Sequence, residues 1–507
     1  MKKNIIVLMA LTILSMIIGF SKDLVLAFFL GASYISDAYI ISLTIPQTIF
    51  GLVGASISTT FIPLYTSIKN QHGIDNANKF TNNLIHILLI ISTLIVALLF
   101  QFTEKIVLVF ASGFGNDALQ IAVTFTRISI FSIYFSAIIF VFSGYLQSKN
   151  RFMSTGLMTI PLNVVTIFSI FIGVKYDLNY LALGSIAATF FQLLLILIDI
   201  KKSDYNYKLY FNIRDENIIK MLKLSIPAIL GSSIYQINVL IDRTLASSIS
   251  EGGISVLSYS NKITALVYAA LVVPIAIVIY PNLSKMFEEA EHREFKRIIR
   301  TSLSAINLLI IPSVVGILIF SNNIISFLYG RGQFDATAIY MTTGALTFYT
   351  IGIIGMSTRE IFYRSFYAMQ DTKTPLINAS VSLIINIILN IILSRYMGLN
   401  GLALATSLST ILCSILLIIS LRRKIGPFGM KEISISFLKI LFASSLMGLL
   451  AKFSFDFLTY SFSQNVSLLI AIGIGAFSYF TIIYFMKIED VDLIVKDIRK
   501  KFGNAAA

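Results

Sequence analysis

One cysteine occurs in 507 residues, Cys413, and it lies inside an apolar stretch, so no internal disulfide can form. The three histidines, His72, His86 and His292, are scattered without metal-ligand spacing. His86 opens an apolar run, where packing is its expected role. Charged residues make up 13 % of the chain, against about 25 % in ordinary soluble domains. No Gly-x-x-x-x-Gly-Lys-Ser/Thr loop is present, which excludes a phosphate-cradling ATPase site in this chain. The polar stretches between apolar runs reach about 20 residues, short of the ~50 that a soluble catalytic domain needs. These absences argue against an enzyme.

What the chain does have is apolar length. Hydrophobic residues are 56 % of it and the mean hydropathy is +0.85. Runs of roughly 18 to 25 apolar residues recur throughout, each long enough to span a bilayer as a helix, about fourteen in all. Spans are expected near 36–64 and 82–103, 118–146, 255–283 and 301–321, among others. Residues 1–30 have the basic start of a signal peptide but no small-x-small cleavage site, and are expected to stay as the first helix. SKMFEEAEHREFKRIIR (284–300) is charged on most faces and reads as a solvated surface helix.

The net charge of +14 follows topology and does not call for nucleic acid. With the N-terminus inside, inner loops hold Lys69, Lys79, Lys149, Arg151, Lys201, Lys202, Arg293, Lys296 and Arg422–Lys424. Outer loops offer Lys105, Lys175, Arg331, Arg395 and Lys452. That asymmetry predicts a cytoplasmic-membrane protein with both termini in the cytoplasm.

LNYLALGSIAAT (178–189) returns as LNGLALATSLST (399–410), 221 positions later. The same offset carries Lys22 onto Arg243, and brings GYLQSKNRF near FYAMQDTKTP. The sequence therefore predicts an all-α polytopic protein of two six-helix lobes, 1–200 and 217–425. A cytoplasmic linker, 201–216, joins them. Two additional helices (430–486) and a cytoplasmic tail (487–507) follow. Six is even, so both lobes enter from one side and the repeat is parallel, with substrate expected between them.

Charges inside apolar runs need a reason, because each costs a few kcal/mol or more at the centre of a bilayer. Ser15, Gly19, Lys22 and Asp23 share one face of the first helix, and Asp37, Thr44, Thr48, Gly51 and Ser58 one face of the second. A structural ion pair between Lys22 and Asp23 is one reading; against it, sequence neighbours on a helix diverge by about 100° and do not pair readily. Arg127, Asp242, Arg243, Lys262, Arg359, Glu360 and Arg364 are embedded as well. Cations outnumber carboxylates there, which suits an anionic substrate such as a phosphate. Arg364, near its helix end, reads equally as a cavity residue or as one that snorkels to the surface. Asn386 and Asn390 share a helix face, and with Thr406 and Asp242 offer the oxygens of a candidate sodium site; ordinary interhelical hydrogen bonding is the alternative.

GFSKDLVLAFFLGASYISDAY, STTFIPLY, IDRTLASSISEGGISVLSYSNK and RSFYAMQDTKTP, in that order, resemble the MurJ (MviN) lipid II flippases of the multidrug/oligosaccharidyl-lipid/polysaccharide exporter superfamily. The resemblance runs over essentially the whole chain. It implies alternating access around a cationic cavity that carries lipid II, an undecaprenyl diphosphate bearing a disaccharide-pentapeptide, from the inner to the outer leaflet. Membrane lipids and the cell-wall synthesis machinery are the implied neighbours. Another undecaprenyl-linked glycan is the alternative substrate, and a cation-coupled drug exporter a more distant one. By the motif, Lys22 and Lys262 stand where the family has arginines, and Asp23 and Asp37 match directly. With Arg243 and Arg359 they form the expected substrate-binding set. Asp242, Asn386, Asn390 and Thr406 match a sodium site, which makes Na⁺ the candidate coupling ion. Met16, Ile49, Phe50 and Gly54 fall where the family carries further charges, so this cavity is less cationic. The terminal helix pair is expected to line an apolar groove for the prenyl tail, with Phe437, Leu441, Leu446 and Phe477.

Overall fold

The computed structural model describes residues 2–486, with side chains left undescribed for 2–13, 55, 58, 59, 228 and 235. The expected tail 487–507 and Ser58 of the second-helix stripe therefore lie outside the described residues. Every described regular element is a helix, as apolar surroundings demand when backbone polar groups must be satisfied within the segment.

The chain divides into two compact units, one running to Ser255 and including Arg331–Ala338, the other comprising Val256–Gly330 and the chain from Ile339 onward. The first holds α1 (Lys2–Leu30), α2 (Tyr34–Gln101), α3 (Thr103–Phe110), α4 (Asn116–Ser129) and α5 (Ser132–Ser148). It continues with α6 (Met153–Leu157), α7 (Thr159–Lys175), α8 (Asn179–Ile200) and α9 (Glu216–Ile249). The start of α10 (Gly253–Leu271) belongs to it too, and the rest of α10 to the second unit. The second unit adds α11 (Val273–Glu288), α12 (His292–Tyr329), most of α13 (Ala336–Ala368) and α14 (Lys373–Met397). It ends with α15 (Leu399–Ile425), α16 (Met430–Leu458) and α17 (Gln464–Met486).

Among the described residues ten helices are long and apolar enough to cross a membrane, or twelve if each of two bent pairs is one span. Hydropathy had suggested fourteen; α1 and the first half of α2, which adjoin undescribed side chains, fall outside that count. Local departures have local causes. The polar stretch between the spans at 36–64 and 82–103 is helical, so α2 runs for 68 residues and breaks only at Gly73, where φ is 81°. The span at 118–146 bends by 45° between α4 and α5, and that at 255–283 by 43° between α10 and α11. The charged stretch at 284–300 is not one helix: it closes α11, turns at Ala290 with φ 56°, and opens α12. Phe295 and Ile299 of that stretch are buried.

The repeat is written into the turns. After α5, Asn150 N–H donates to Gln147 O at 2.9 Å and Arg151 N–H to Leu146 O at 2.9 Å. After α13, Gln370 N–H donates to Tyr367 O at 3.0 Å and Asp371 N–H to Phe366 O at 2.9 Å. Asn150 and Gln370 both turn left-handed, with φ 59° and 58°, the C-terminal geometry that satisfies a helix's last carbonyls. Each turn is then tied to a neighbouring helix end, with the charges exchanged. Arg151 Nη1 pairs with Asp199 Oδ1 at 2.9 Å in the first unit, and Lys424 Nζ pairs with Asp371 Oδ2 at 2.7 Å in the second. Burial alone would push the Asp371 carboxyl up, but Lys424 and the Thr374 N–H and hydroxyl outweigh it and hold it at about 2. The stability it contributes is complete above the ordinary aspartate value of about 4 and is lost as the pH falls toward 2. Asp371→Asn should therefore lower the thermal midpoint at pH 6, with the gap to the parent protein closing between pH 4 and pH 2.

Within the second unit, short polar side chains zip the helices together. Ser260 Oγ donates to Thr342 O at 2.9 Å, Ser407 Oγ to Phe348 O at 2.7 Å and Ser414 Oγ to Gly355 O at 2.6 Å. α16 and α17 pack on α12 through Ile311, Ile440, Ala443, Met447, Tyr479 and Ile483, and Tyr479 Oη donates to Leu308 O at 2.7 Å. Phe437 and Leu441 pack half-buried against this seam, Leu446 is half-buried and Phe477 is 77 % exposed.

Candidate functional site

In α1, Lys22 Nζ lies 3.0 Å from Asp23 Oδ1, with the side chains 22 % and 14 % exposed. The divergence of neighbouring positions had argued against this pair. The flexible four-carbon stem of lysine swings its ammonium across that angle, and an apolar setting rewards the contact. The bond uses one of the ammonium's three donors. Earlier on the same face, Ser15 Oγ donates to Gly156 O at 3.3 Å, and a Cβ at Gly19 would lie 3.3 Å from Asn163 Nδ2 of α7. The polar face of α1 is turned into its own unit.

Asp37 opens α2, whose N-terminus is closed by a reciprocal pair: Ser33 N–H donates to Ser36 Oγ at 3.0 Å and Ser36 N–H to Ser33 Oγ at 3.4 Å. From there the Asp37 carboxylate, 2 % exposed, reaches the N-terminus of another helix. It accepts from Ser255 N–H at 2.7 Å and Ile254 N–H at 3.4 Å in the first turn of α10, whose N–H groups have no partner inside the helix. Arg243 Nη1 donates to Ile254 O at 3.2 Å, so both charges act on this one turn. Around it the backbones pack at glycine distance. Gly31 and Gly252, 221 residues apart, have φ 61° and 75°; a Cβ on Gly31 would lie 2.4 Å from Gln333 O, and one on Gly252 2.3 Å from Ala32 O. Gln333 N–H donates to Phe28 O at 2.8 Å.

Further along α2, Gly51 and Thr60 face α9: a Cβ on Gly51 would lie 3.5 Å from Gln236 Nε2, and Thr60 Oγ1 is 3.5 Å from Ser225 Oγ. At positions 50 and 54, where the resemblance implies charge, the surroundings are aromatic. Phe50 stacks on Phe140 with centroids 6.1 Å apart, and a Cβ on Gly54 would lie 2.4 Å from the Phe140 ring. Phe140 thus occupies the space a side chain at position 54 would need. Nothing in the local sequence marks it.

The second unit has its own polar centre. Tyr268 Oη of α10 donates to Glu360 Oε2 at 2.9 Å, and Arg364 Nη2 pairs with Glu360 Oε1 at 2.8 Å. Arg364 is thereby held against its own helix, α13, by an ion pair. Arg359 lies over the Tyr363 ring at 5.6 Å, and Tyr363 Oη is 3.8 Å from Cys413 Sγ. Lys262 is half-buried on α10. Arg127, by contrast, is exposed and lies over the Phe100 ring at 5.4 Å. Sequence reasoning missed Tyr268, whose partner lies 92 residues away.

Of the candidate sodium ligands, three gather in this unit. Asn390 Nδ2 donates to Asn386 Oδ1 at 2.9 Å, Asn386 Nδ2 to Ser409 Oγ at 3.1 Å, and Ser409 Oγ to Thr406 O at 2.9 Å. Thr406 Oγ1 is buried without a hydrogen-bond partner among the described residues. An orphaned hydroxyl oxygen beside two buried amides fits a hard cation. Asp242 belongs to the first unit. Among the described residues no cluster of three or more His, Cys, Asp or Glu is present.

Long apolar helices with ion pairs among them and the same turn built twice define a polytopic helical membrane protein, and its fold is a known one. A solved inward-facing multidrug resistance MATE family transporter of the MOP superfamily covers 81 % of this chain and 94 % of its own, with a TM-score of 0.72 at 14 % identity, a likeness of fold alone. The profile of the lipid II flippase MurJ family matches residues 26–473, and the chain belongs to that family. A probable lipid II flippase MurJ of Buchnera aphidicola subsp. Baizongia pistaciae is 28 % identical over 415 residues, 80 % of this chain and 81 % of the relative. The lipid II flippase MurJ of Burkholderia cenocepacia is 28 % identical over 423 residues, 82 % of each. A solved structure described as lipid II flippase MurJ, inward closed conformation, covers 96 % of this chain and 100 % of its own, with a TM-score of 0.83 and 28 % identity.

Proposed function

We propose that this protein moves lipid II from the inner to the outer leaflet by alternating access of its two repeats. The observation that carries the reading is the lipid II flippase family match over residues 26–473, joined by Lys22 just ahead of it, an ammonium held inside an apolar helix. Lys22, Lys262 and Arg359 would take the diphosphate through charge-assisted hydrogen bonds. Asp23 presets the Lys22 ammonium until substrate arrives. Asp37 and Arg243 complete the set by fixing the α10 turn, from which Lys262 projects two turns on. The prenyl tail would stay in lipid, since drawing it through a polar cavity forfeits about 0.8 kcal/mol per CH₂. Enzymes that polymerise the exported headgroup on the outer face are the partners such a product calls for. The test is replacement: cells depleted of their own lipid II flippase should survive on this protein. Failure there, with rescue of a strain lacking a different undecaprenyl-linked glycan flippase, would favour the alternative substrate.

Asn386, Asn390, Thr406 and Asp242 would hold a sodium ion, which supplies a driving gradient. A ligand that binds only the folded state raises its stability, so sodium chloride should raise the thermal midpoint over choline chloride. Thr406→Val should remove most of that shift. Equal midpoints of the parent protein in the two salts would dismiss the ion.

A further inference from the structure

The segment 201–215, between α8 and α9, carries no regular helix beyond its turns, yet it is tightly held. A row of polar residues on α2 takes its alternate carbonyls. Asn78 Nδ2 donates to Asp204 O at 3.0 Å, Asn82 Nδ2 to Asn206 O at 3.0 Å and Asn83 Nδ2 to Asn212 O at 2.8 Å. His86 Nδ1 is 3.0 Å from Tyr210 O and therefore carries its proton there, leaving Nε2 to accept from Tyr207 Oη at 2.9 Å. His86 is thus a tether rather than the packing residue its sequence context suggests. Asn212 N–H donates back to Asn83 Oδ1 at 2.7 Å, and the Tyr205 hydroxyl donates to Asn82 Oδ1.

With four of its carbonyls taken by α2, the segment turns apolar side chains outward. Tyr207, Leu209, Phe211 and Ile213 are 59 %, 84 %, 53 % and 62 % exposed. A single exposed leucine needs no explanation, but a run of large apolar residues at every second position does. Lys208 and Arg214 are exposed within the same run. On the first turns of α9 a hollow lined by Glu216, Ile219, Lys220, Lys223 and Leu224 again sets cations beside apolar chains. The segment joins two membrane-spanning helices, Asn179–Ile200 and Glu216–Ile249, and so it lies at the bilayer boundary.

We propose that residues 205–214 form an interfacial strap whose apolar side chains enter the adjacent leaflet, with Lys208, Arg214, Lys220 and Lys223 drawing anionic phospholipid headgroups around it. The occupant follows from complementarity. Four of the segment's carbonyls and the Asn212 N–H are taken by α2, which lowers the cost of laying this backbone against lipid. Tyr207, Leu209, Phe211 and Ile213 supply apolar area, and the flanking cations match an anionic surface. A water-facing linker would need neither the tether nor the apolar row.

The chain contains no tryptophan, so single-tryptophan variants report without background. Leu209→Trp, Phe211→Trp, Ile213→Trp and Lys208→Trp, each in the full chain, would be reconstituted at low density in phosphatidylcholine–phosphatidylglycerol vesicles. Lipid brominated near the headgroup end of its acyl chains should quench positions 209, 211 and 213 about threefold more than position 208, with iodide showing the reverse order. Removing phosphatidylglycerol should weaken the bromolipid quenching by about twofold. Positions 209 and 213 as open to iodide as 208 would overturn the proposal. So would protection from iodide without bromolipid quenching, since a second copy or another protein surface would then cover the strap. The readout needs no transport, so it stands apart from the substrate assignment.

Discussion

Lys22→Ala and Lys262→Ala each abolish rescue of flippase-depleted cells. The expected loss is complete because the substrate's diphosphate has few cations to meet: Met16, Ile49 and Phe50, the last stacked on Phe140, stand where the resemblance implies arginines. The Lys22–Asp23 contact complicates this test, since Lys22→Ala takes the ammonium away from a carboxylate 14 % exposed in an apolar helix. Breaking such a pair costs about 3 kcal/mol or more by itself. The double variant Lys22→Ala/Asp23→Asn removes that penalty, and it should fold to parental levels and still fail to transport. Lys22→Arg should function, because it keeps the charge and adds a planar fork for phosphate. Rescue by Lys22→Ala at normal protein levels would contradict the assignment.

Asp37→Ala is expected to act on folding before function. It removes a buried carboxylate from the Ser255 and Ile254 N–H groups and leaves Arg243 beside the α10 turn without that counter-charge. Hydrogen bonds to a charged group are worth about 1.5–3 kcal/mol each, so a loss of about 3 kcal/mol or more is the expected outcome, read as a lower thermal midpoint in detergent and a lower membrane yield. Asp37→Asn keeps an acceptor for Ser255 N–H and should fall between. A parental midpoint in Asp37→Ala with transport lost would instead place Asp37 in direct contact with substrate.

What could be read from sequence was what repeats or what is periodic. The 221-residue offset came from two matched strings; the structure shows it again in the left-handed Gly31 and Gly252, and shows the repeat one residue out of that register in the paired turns at Asn150 and Gln370. Helix content followed from apolar length. What escaped was set by partners remote in sequence. Asp37 meets a turn more than 200 residues away, Tyr268 finds Glu360 on α13, and Phe140 fills the space above Gly54. The tether made by Asn78, Asn82 and Asn83 was not read from sequence, because its acceptors are backbone carbonyls, which carry no sequence identity. The Lys22–Asp23 pair was misjudged for a different reason. Angular divergence limits where side chains start, and a long lysine stem can cancel it.

Lipid II movement in vesicles that contain this protein alone is the most direct measurement of the central claim. Fluorescent lipid II placed in one leaflet should become accessible in the other at a rate that rises with protein density, and the Lys22→Ala/Lys262→Ala variant should leave only the slow leak of empty vesicles. Movement no faster than in empty vesicles, or equal movement of a lipid lacking the diphosphate, would contradict it.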